Sequence, residues 1–205
     1  SGIHHHYGCE KFVPDFSSDY LRMVIDHTDK SLIPLKDNET IDCFCDEIFP
    51  VIFDPSVLPK RVNKADKQDL VTTSACNYYE NLTQEEVEKF YNDMKDGADE
   101  SMPSYGLNSK LVKRDGSIVE CKWIETGMYG PAISHIIYWL EKARDEAENE
   151  QQKKIISILT EYYRTGDLRT FDGFSIEWLK ETEGRVDFIN GFIEVYGDPL
   201  GLKAS

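Results

Sequence analysis

The run from Val186 to Gly201 constrains this chain more than any other stretch, because it reads as a single strand with two unlike faces. From Phe188 to Tyr196 it is rich in β-branched and aromatic residues, which suit a pleated, buried surface. Asn190, Glu194 and Asp198 interrupt it at intervals of four. Side chains alternate along a strand with period two, so these three share a face with Phe192 and Tyr196, while Ile189, Ile193 and Val195 point the other way. One face anchors in hydrocarbon; the other presents an amide, two carboxylates and a phenol. Gly197-Asp198-Pro199 ends the strand, since proline has no N–H to give to a ladder.

Such a strand needs partners. Leu107 to Lys113 and Ser117 to Ile124 read as two more, joined by Arg114-Asp115-Gly116, and Asp-Gly between such runs signals a hairpin because the turn requires positive φ. This hairpin is expected to join the 186–196 strand in one sheet or small barrel. The rest reads as helix. Ser17 or Ser18 caps a first one with Leu21, Val24, Ile25 and Thr28 inward. Asn38 caps a second through about Phe49, with Ile41, Phe44, Cys45, Ile48 and Phe49 as its buried stripe, before Pro50, Pro55 and Pro59 forbid further helix. Thr83 with Glu86 forms a capping box, followed by Val87, Phe90, Tyr91 and Met94 facing the core. Gly130-Pro131 starts the longest helix, with Ile133, Ile136, Ile137, Leu140, Ala143 and Ala147 in one stripe. Two more follow, Gln152 to Arg164 closed by Gly166, and one capped by Asp167 through about Lys180. The expected fold class is α+β, mainly helical with a small antiparallel sheet or partial β-barrel. The chain divides into 1–100 (mainly helical), 101–128 (β-hairpin), 129–185 (helices) and 186–201 (the final strand).

Charge and cysteine usage narrow the partners. The net charge of −15 over 205 residues opposes nucleic acid, whose phosphates are repelled, and suits cationic groups such as a peptide's free amine. No apolar run approaches the ~18 residues that span a bilayer, so no membrane partner is expected. Cys9, Cys43, Cys45, Cys76 and Cys121 are odd in number and contain no C-x-x-C pair, so they read as reduced thiols and point to a cytoplasmic setting. The chain begins without methionine and stops just after the final strand, which suggests a fragment; a missing signal peptide is then uninformative.

Candidate chemistry is sparse. His4, His5 and His6 are adjacent, and adjacent residues of an extended segment face alternate sides, so an aromatic loop with hydrogen-bonded imidazoles explains them better than a shared metal. His135, alone on a mostly apolar helix, reads as a packed core or boundary histidine. Lys60 to Lys67 reads as a solvated basic loop. Neither H-E-x-x-H nor H-E-x-x-x-H occurs, and His27 and His135 have no glutamate beside them. A zinc hydrolase needs three protein ligands and an open water position, so no metal ligands are assigned to this chain. A Glu194/Asp198 carboxylate pair is a poor hydrolytic device, because strand residues four apart lie ~13 Å apart. The bland alternative for Glu194 is a strand carboxylate facing solvent or an arginine.

Gly191-Phe192-Ile193-Glu194-Val195-Tyr196-Gly197-Asp198-Pro199-Leu200-Gly201 resembles the G-F-I-E-x-Y-x-D-P-x-G segment of the dipeptidyl peptidase III family of zinc peptidases. Tyr78-x-x-Asn81-x-Thr83 resembles a tyrosine-led turn that enters a helix in that family. The opening through Lys11-Phe12-Val13-Pro14 resembles a glycine-rich segment bordering its substrate cleft. The resemblance implies a catalytic Tyr196, whose phenol donates to the scissile carbonyl as it becomes an oxyanion. It implies a substrate-binding Glu194 that holds the peptide's N-terminal ammonium and so places cleavage two residues in. Asn190, Gly2 and His5 follow as further substrate-binding groups, and Phe192 and Asp198 as weaker ones. Gly197 departs from relatives with arginine there. The family's zinc motifs lie beyond this strand. The chain is therefore expected to belong to the lower, non-zinc lobe of an exopeptidase releasing N-terminal dipeptides. Its zinc would be bound outside this chain, its partners being the peptide substrate and the missing zinc-binding lobe, and the fragment alone would be inactive. The alternative is a non-catalytic peptide-binding or interaction module of the same fold.

Overall fold

Where apolar spacing and capping agree, the chain folds as its sequence predicts. The computed structural model describes residues 2–95, 97, 99, 101–191 and 197–204. They divide into two units, Ser1–Ala75 and Cys76–Ser205.

In the first unit, α1 (Ser18–Asp26) is capped by Ser17, whose hydroxyl accepts from the Tyr20 N–H. Of its expected stripe only Ile25 is buried, and Val24 is exposed. Helix α2 (Ile41–Phe53) packs on α1 and buries Cys45. Two expectations for α2 are corrected. Thr40, not Asn38, is the cap: the Thr40 hydroxyl accepts from Cys43 N–H, while Asn38 sits in a left-handed turn at φ 63°. Pro50 does not end the helix, which runs on one turn to Phe53. Proline removes one donor but its fixed φ is helical, and the Pro50 carbonyl still accepts from Asp54 N–H at 3.0 Å. The 60–67 stretch is not wholly solvated either. Val62 and Asn63 are buried, and the Asn63 amide donates to Gln68 Oε1 at 2.7 Å and Thr73 Oγ1 at 2.9 Å.

In the second unit, a short strand β1 (Tyr79–Glu80) precedes α3 (Gln84–Asp93), whose Thr83/Glu86 capping box is formed. Strands β2 (Ser109–Arg114) and β3 (Ser117–Lys122) pair antiparallel, Ser109 opposite Lys122 and Arg114 opposite Ser117. Asp115 and Gly116 both take positive φ in the turn between them. The sheet order is β1-β2-β3, with β1 parallel to β2. The hairpin's partner among the described residues is thus Tyr79–Glu80; residues 186–191 of the expected 186–196 strand form no strand, 192–196 lie outside the described residues, and the described sheet is mixed rather than purely antiparallel. Helices α4 (Gly130–Asp145), α5 (Glu150–Thr165) and α6 (Leu168–Leu179) pack in series, α5 against both neighbours. Ile155, Leu159 and Tyr162 of α5 meet Leu168 and Phe174 in a core joined by Leu107, Trp178 and Phe188. Gly166 closes α5 in the left-handed conformation that glycine tolerates. His135 is exposed rather than packed, because the face of α4 that turns inward carries Ile133 and Ile137. The fold is α+β and mainly helical. No helix among the described residues is long and apolar enough to cross a membrane.

Candidate functional site

Glu194 and Tyr196, with Phe192, Ile193 and Val195, lie outside the described residues. The chain on either side of them is described, and each flank is fixed in its own way.

The upstream flank runs without strand structure from Val186 to Gly191. Its backbone oxygens serve side chains instead of a ladder. Gln152 Nε2 donates to the Val186 carbonyl at 2.8 Å, and Trp178 Nε1 donates to the Phe188 carbonyl at 2.8 Å and to Asp187 Oδ1 at 3.0 Å. The period-two reading therefore does not apply to this part, because α5 and α6 rather than a neighbouring strand receive its polar groups. Phe188 packs on the helical core and Ile189 is exposed. The Tyr163 hydroxyl donates to Asn190 Oδ1 at 2.9 Å. Asn190 and Gly191 line a groove of about 390 Å³ with Leu107, Phe171, Phe174 and Trp178.

The downstream flank is a turn, Gly197 to Gly201, closed by Asp198. Asp198 is fully buried. Its Oδ1 accepts from Leu200 N–H at 3.1 Å, and its Oδ2 accepts from Leu202 and Lys203 N–H at 2.8 Å each and from the Tyr79 hydroxyl at 2.7 Å. A carboxylate so occupied organises backbone and is not available for hydrolysis. Lys203 is fully buried as well. Its ammonium donates to the Tyr91 hydroxyl and to Ser109 Oγ at 3.0 Å. It lies 4.5 Å from the Tyr91 ring centroid and 5.8 Å from that of Tyr79. Both hydroxyls pass the contact on to Glu120 Oε1, Tyr91 at 2.9 Å and Ser109 at 2.7 Å. Burial draws the Lys203 ammonium down to about 8, against the pull of Glu120 and Asp198. Burial, with Asp198 beside it, pushes the Tyr79 phenol far up, and burial with Glu120 does the same to Tyr91.

The remaining predicted residues lie in the first unit. Gly2 is exposed at φ 58°. His5 is exposed, its ring 4.1 Å from that of Phe12, and its backbone N–H donates to Glu10 O at 2.8 Å. Its neighbour His4 is buried, with Nε2 2.8 Å from the Leu58 carbonyl. Among the described residues no group of three His, Cys, Asp or Glu side chains is placed to hold a metal ion. The cluster around Lys203 escapes sequence reasoning, because a lysine between Leu202 and Ala204 carries no pattern that marks it as buried.

The sequence profile of peptidase family M49 matches residues 60–205. The dipeptidyl peptidase 3 of Rattus norvegicus is 30% identical over 80 residues, which cover 39% of this chain and 11% of that protein. The dipeptidyl peptidase 3 of Homo sapiens is 30% identical over the same length. The solved DPP III of Caldithrix abyssi superposes with a TM-score of 0.49 at 17% identity, covering 91% of this chain and 33% of its own. That of Corallococcus sp. strain EGB gives 0.49 at 21% identity, covering 75% of this chain and 26% of its own. This chain thus spans a minor part of the length of the proteins it matches. With its profile matched over most of its residues, the Gly191–Gly201 segment among them, the chain belongs to peptidase family M49, the dipeptidyl peptidase III family.

Proposed function

We propose that this chain supplies the substrate-binding groups of a zinc-dependent exopeptidase that removes dipeptides from peptide N-termini, and that its zinc is held by residues outside this chain. The observation that carries the reading is the family match over 60–205, which includes the Glu194-x-Tyr196 pair and its Asp198-Pro199 turn. Glu194 takes the substrate ammonium in a charge-assisted bond that fixes the register of cleavage. The Tyr196 phenol donates to the scissile carbonyl oxygen as negative charge develops there, a contact that matters in the transition state and little before it. The Asn190 amide, with Oδ1 held by Tyr163, presents its nitrogen to the peptide backbone. Gly2 and His5, in the Lys11-Phe12-Val13-Pro14 opening, are further substrate-binding groups of this reading. The described residues offer no zinc ligand set, so the metal's chemistry is not assigned to them.

The test uses the full-length protein and a chromogenic dipeptidyl arylamide. Tyr196→Phe lowers kcat by ~10²-fold with KM little changed, as loss of one oxyanion donor does. Glu194→Gln raises KM for peptides with a free amine by about 10- to 100-fold, the worth of one hydrogen bond to a charged group. Unchanged turnover in the first variant removes the donor role, and an undiminished preference for free amines in the second removes the clamp.

A further inference from the structure

The proposed reading leaves the buried cluster behind the turn without a task. Its geometry is specific. Asp198 and Lys203 are each fully buried, and they are tied to elements far away in sequence: Tyr79 on β1, Tyr91 on α3, Ser109 on β2 and, through the Tyr91 and Ser109 hydroxyls, Glu120 on β3. The Asp198 carboxylate joins the Tyr79 hydroxyl, 119 residues away, to the N–H groups of residues 200, 202 and 203. The Ala204 N–H donates to the Leu107 carbonyl at 3.1 Å and continues the attachment. Six polar side chains thus lock this short turn and the residues just after it to the sheet and α3. Buried ionic networks add little net stability over a hydrocarbon core of the same volume, because desolvation offsets their attraction. What a fully satisfied network provides is one fixed geometry.

The location gives that geometry its use. Asp198 follows Tyr196 by two residues, and two trans peptide units span at most ~7.2 Å between Cα atoms. The turn is therefore the nearest anchored backbone described on the C-terminal side of Tyr196. We propose that Tyr79, Asp198 and Lys203 are positioning residues of the peptidase, fastening the Gly197–Gly201 turn to the sheet so that Tyr196 is held in register with the scissile bond. This rests on the donor role of Tyr196 set out above. A purely structural cluster affects folding alone; a positioning cluster affects turnover in a way that depends on Tyr196.

A double-mutant cycle in the full-length enzyme separates the two. Tyr79→Phe removes the hydroxyl that donates to Asp198 and keeps the ring. It is expected to lower kcat for a dipeptidyl arylamide about 10-fold with KM within about twofold, in protein fully folded at the assay temperature. In a Tyr196→Phe background the same change is expected to cost less than about twofold, because a misplaced phenol and an absent one are equivalent. Should Tyr79→Phe fail to fold, Tyr91→Phe, which removes the hydroxyl beside the Lys203 ammonium, takes its place with the same expectation. If Tyr196→Phe alone lowers kcat but the second substitution multiplies that loss undiminished, or leaves the parent enzyme unaffected, the positioning inference is overturned and the donor role stands. If Tyr196→Phe leaves kcat unchanged, the donor role fails and the positioning inference falls with it.

Discussion

Two buried residues illustrate how far local chemistry reaches. Gly106 sits at φ 90°, and a Cβ there would stand 2.7 Å from Tyr91 Cζ. The glycine lets the Tyr91 ring close over the chain and hold its hydroxyl between Lys203 and Glu120. Gly106→Ala is expected to destabilise the protein by about 1–3 kcal/mol, from backbone strain and overpacking together, read as a fall in the denaturant midpoint at unchanged slope. Lys203 gives a pH signature. Its ordinary value of 10.5 is drawn down to about 8 by burial, so between these pH values the unfolded chain holds the extra proton. Stability from this group then rises with pH across that window, and below about 8 the cost of burying the cation is present in full. Tyr79 and Tyr91 act oppositely: raised in the fold above their ordinary 10.0, they lose stability for it only as pH climbs past that value. Stability measured from pH 8 to 9.5 should therefore rise less steeply in Lys203→Met than in the parent protein. An equal slope in the two would show that the ammonium is not desolvated.

At the scale of elements, most helix ends and the hairpin turn are legible because their signals are local; α2, capped by Thr40 rather than Asn38, is the exception. Thr83 with Glu86, Asp167, Gly166 and the Asp115-Gly116 turn each act within a few residues of themselves, and each does what its residue type dictates. Glu86 also pairs with Lys113 of β2 at 2.5 Å, so the box fixes the start of α3 against the sheet. Thr83→Ala is expected to cost ~1 kcal/mol, seen as a lower thermal midpoint. A loss below a few tenths of that would mean the Glu86 side chain alone satisfies the helix start. Pro50 has the residue type of a helix stop, yet α2 continues one turn. A proline forfeits one bond, and in this helix the turn beyond it keeps enough contacts to persist. The 186–196 run has the residue types of a strand, but its described part, 186–191, is not one. Its carbonyls instead meet the side chains of Gln152 and Trp178, because strand propensity records a fit to a pleated surface, and the neighbour here is a helix pair.

For the whole molecule, the family assignment sets the expectation for activity. The 205-residue chain expressed alone is expected to retain no stoichiometric zinc after dialysis and to release no dipeptide from arylamide substrates; metal analysis showing one zinc per chain would place ligands where the described residues supply none. The sequence alone determined the fold class, the order of the helices, the hairpin turn and the segment through which the chain resembles its family, because periodicity, caps and turn chemistry act over a few residues. It also named Glu194, Tyr196, Asn190, Gly2 and His5 as candidates, through residue types that match a motif. Tertiary structure decided the partner of the hairpin, the burial of Asp198 and the cluster around Lys203. Tyr79 and Asp198, or Tyr91 and Lys203, are more than a hundred positions apart. Whether such groups meet depends on how every intervening element packs, and no local pattern carries that information.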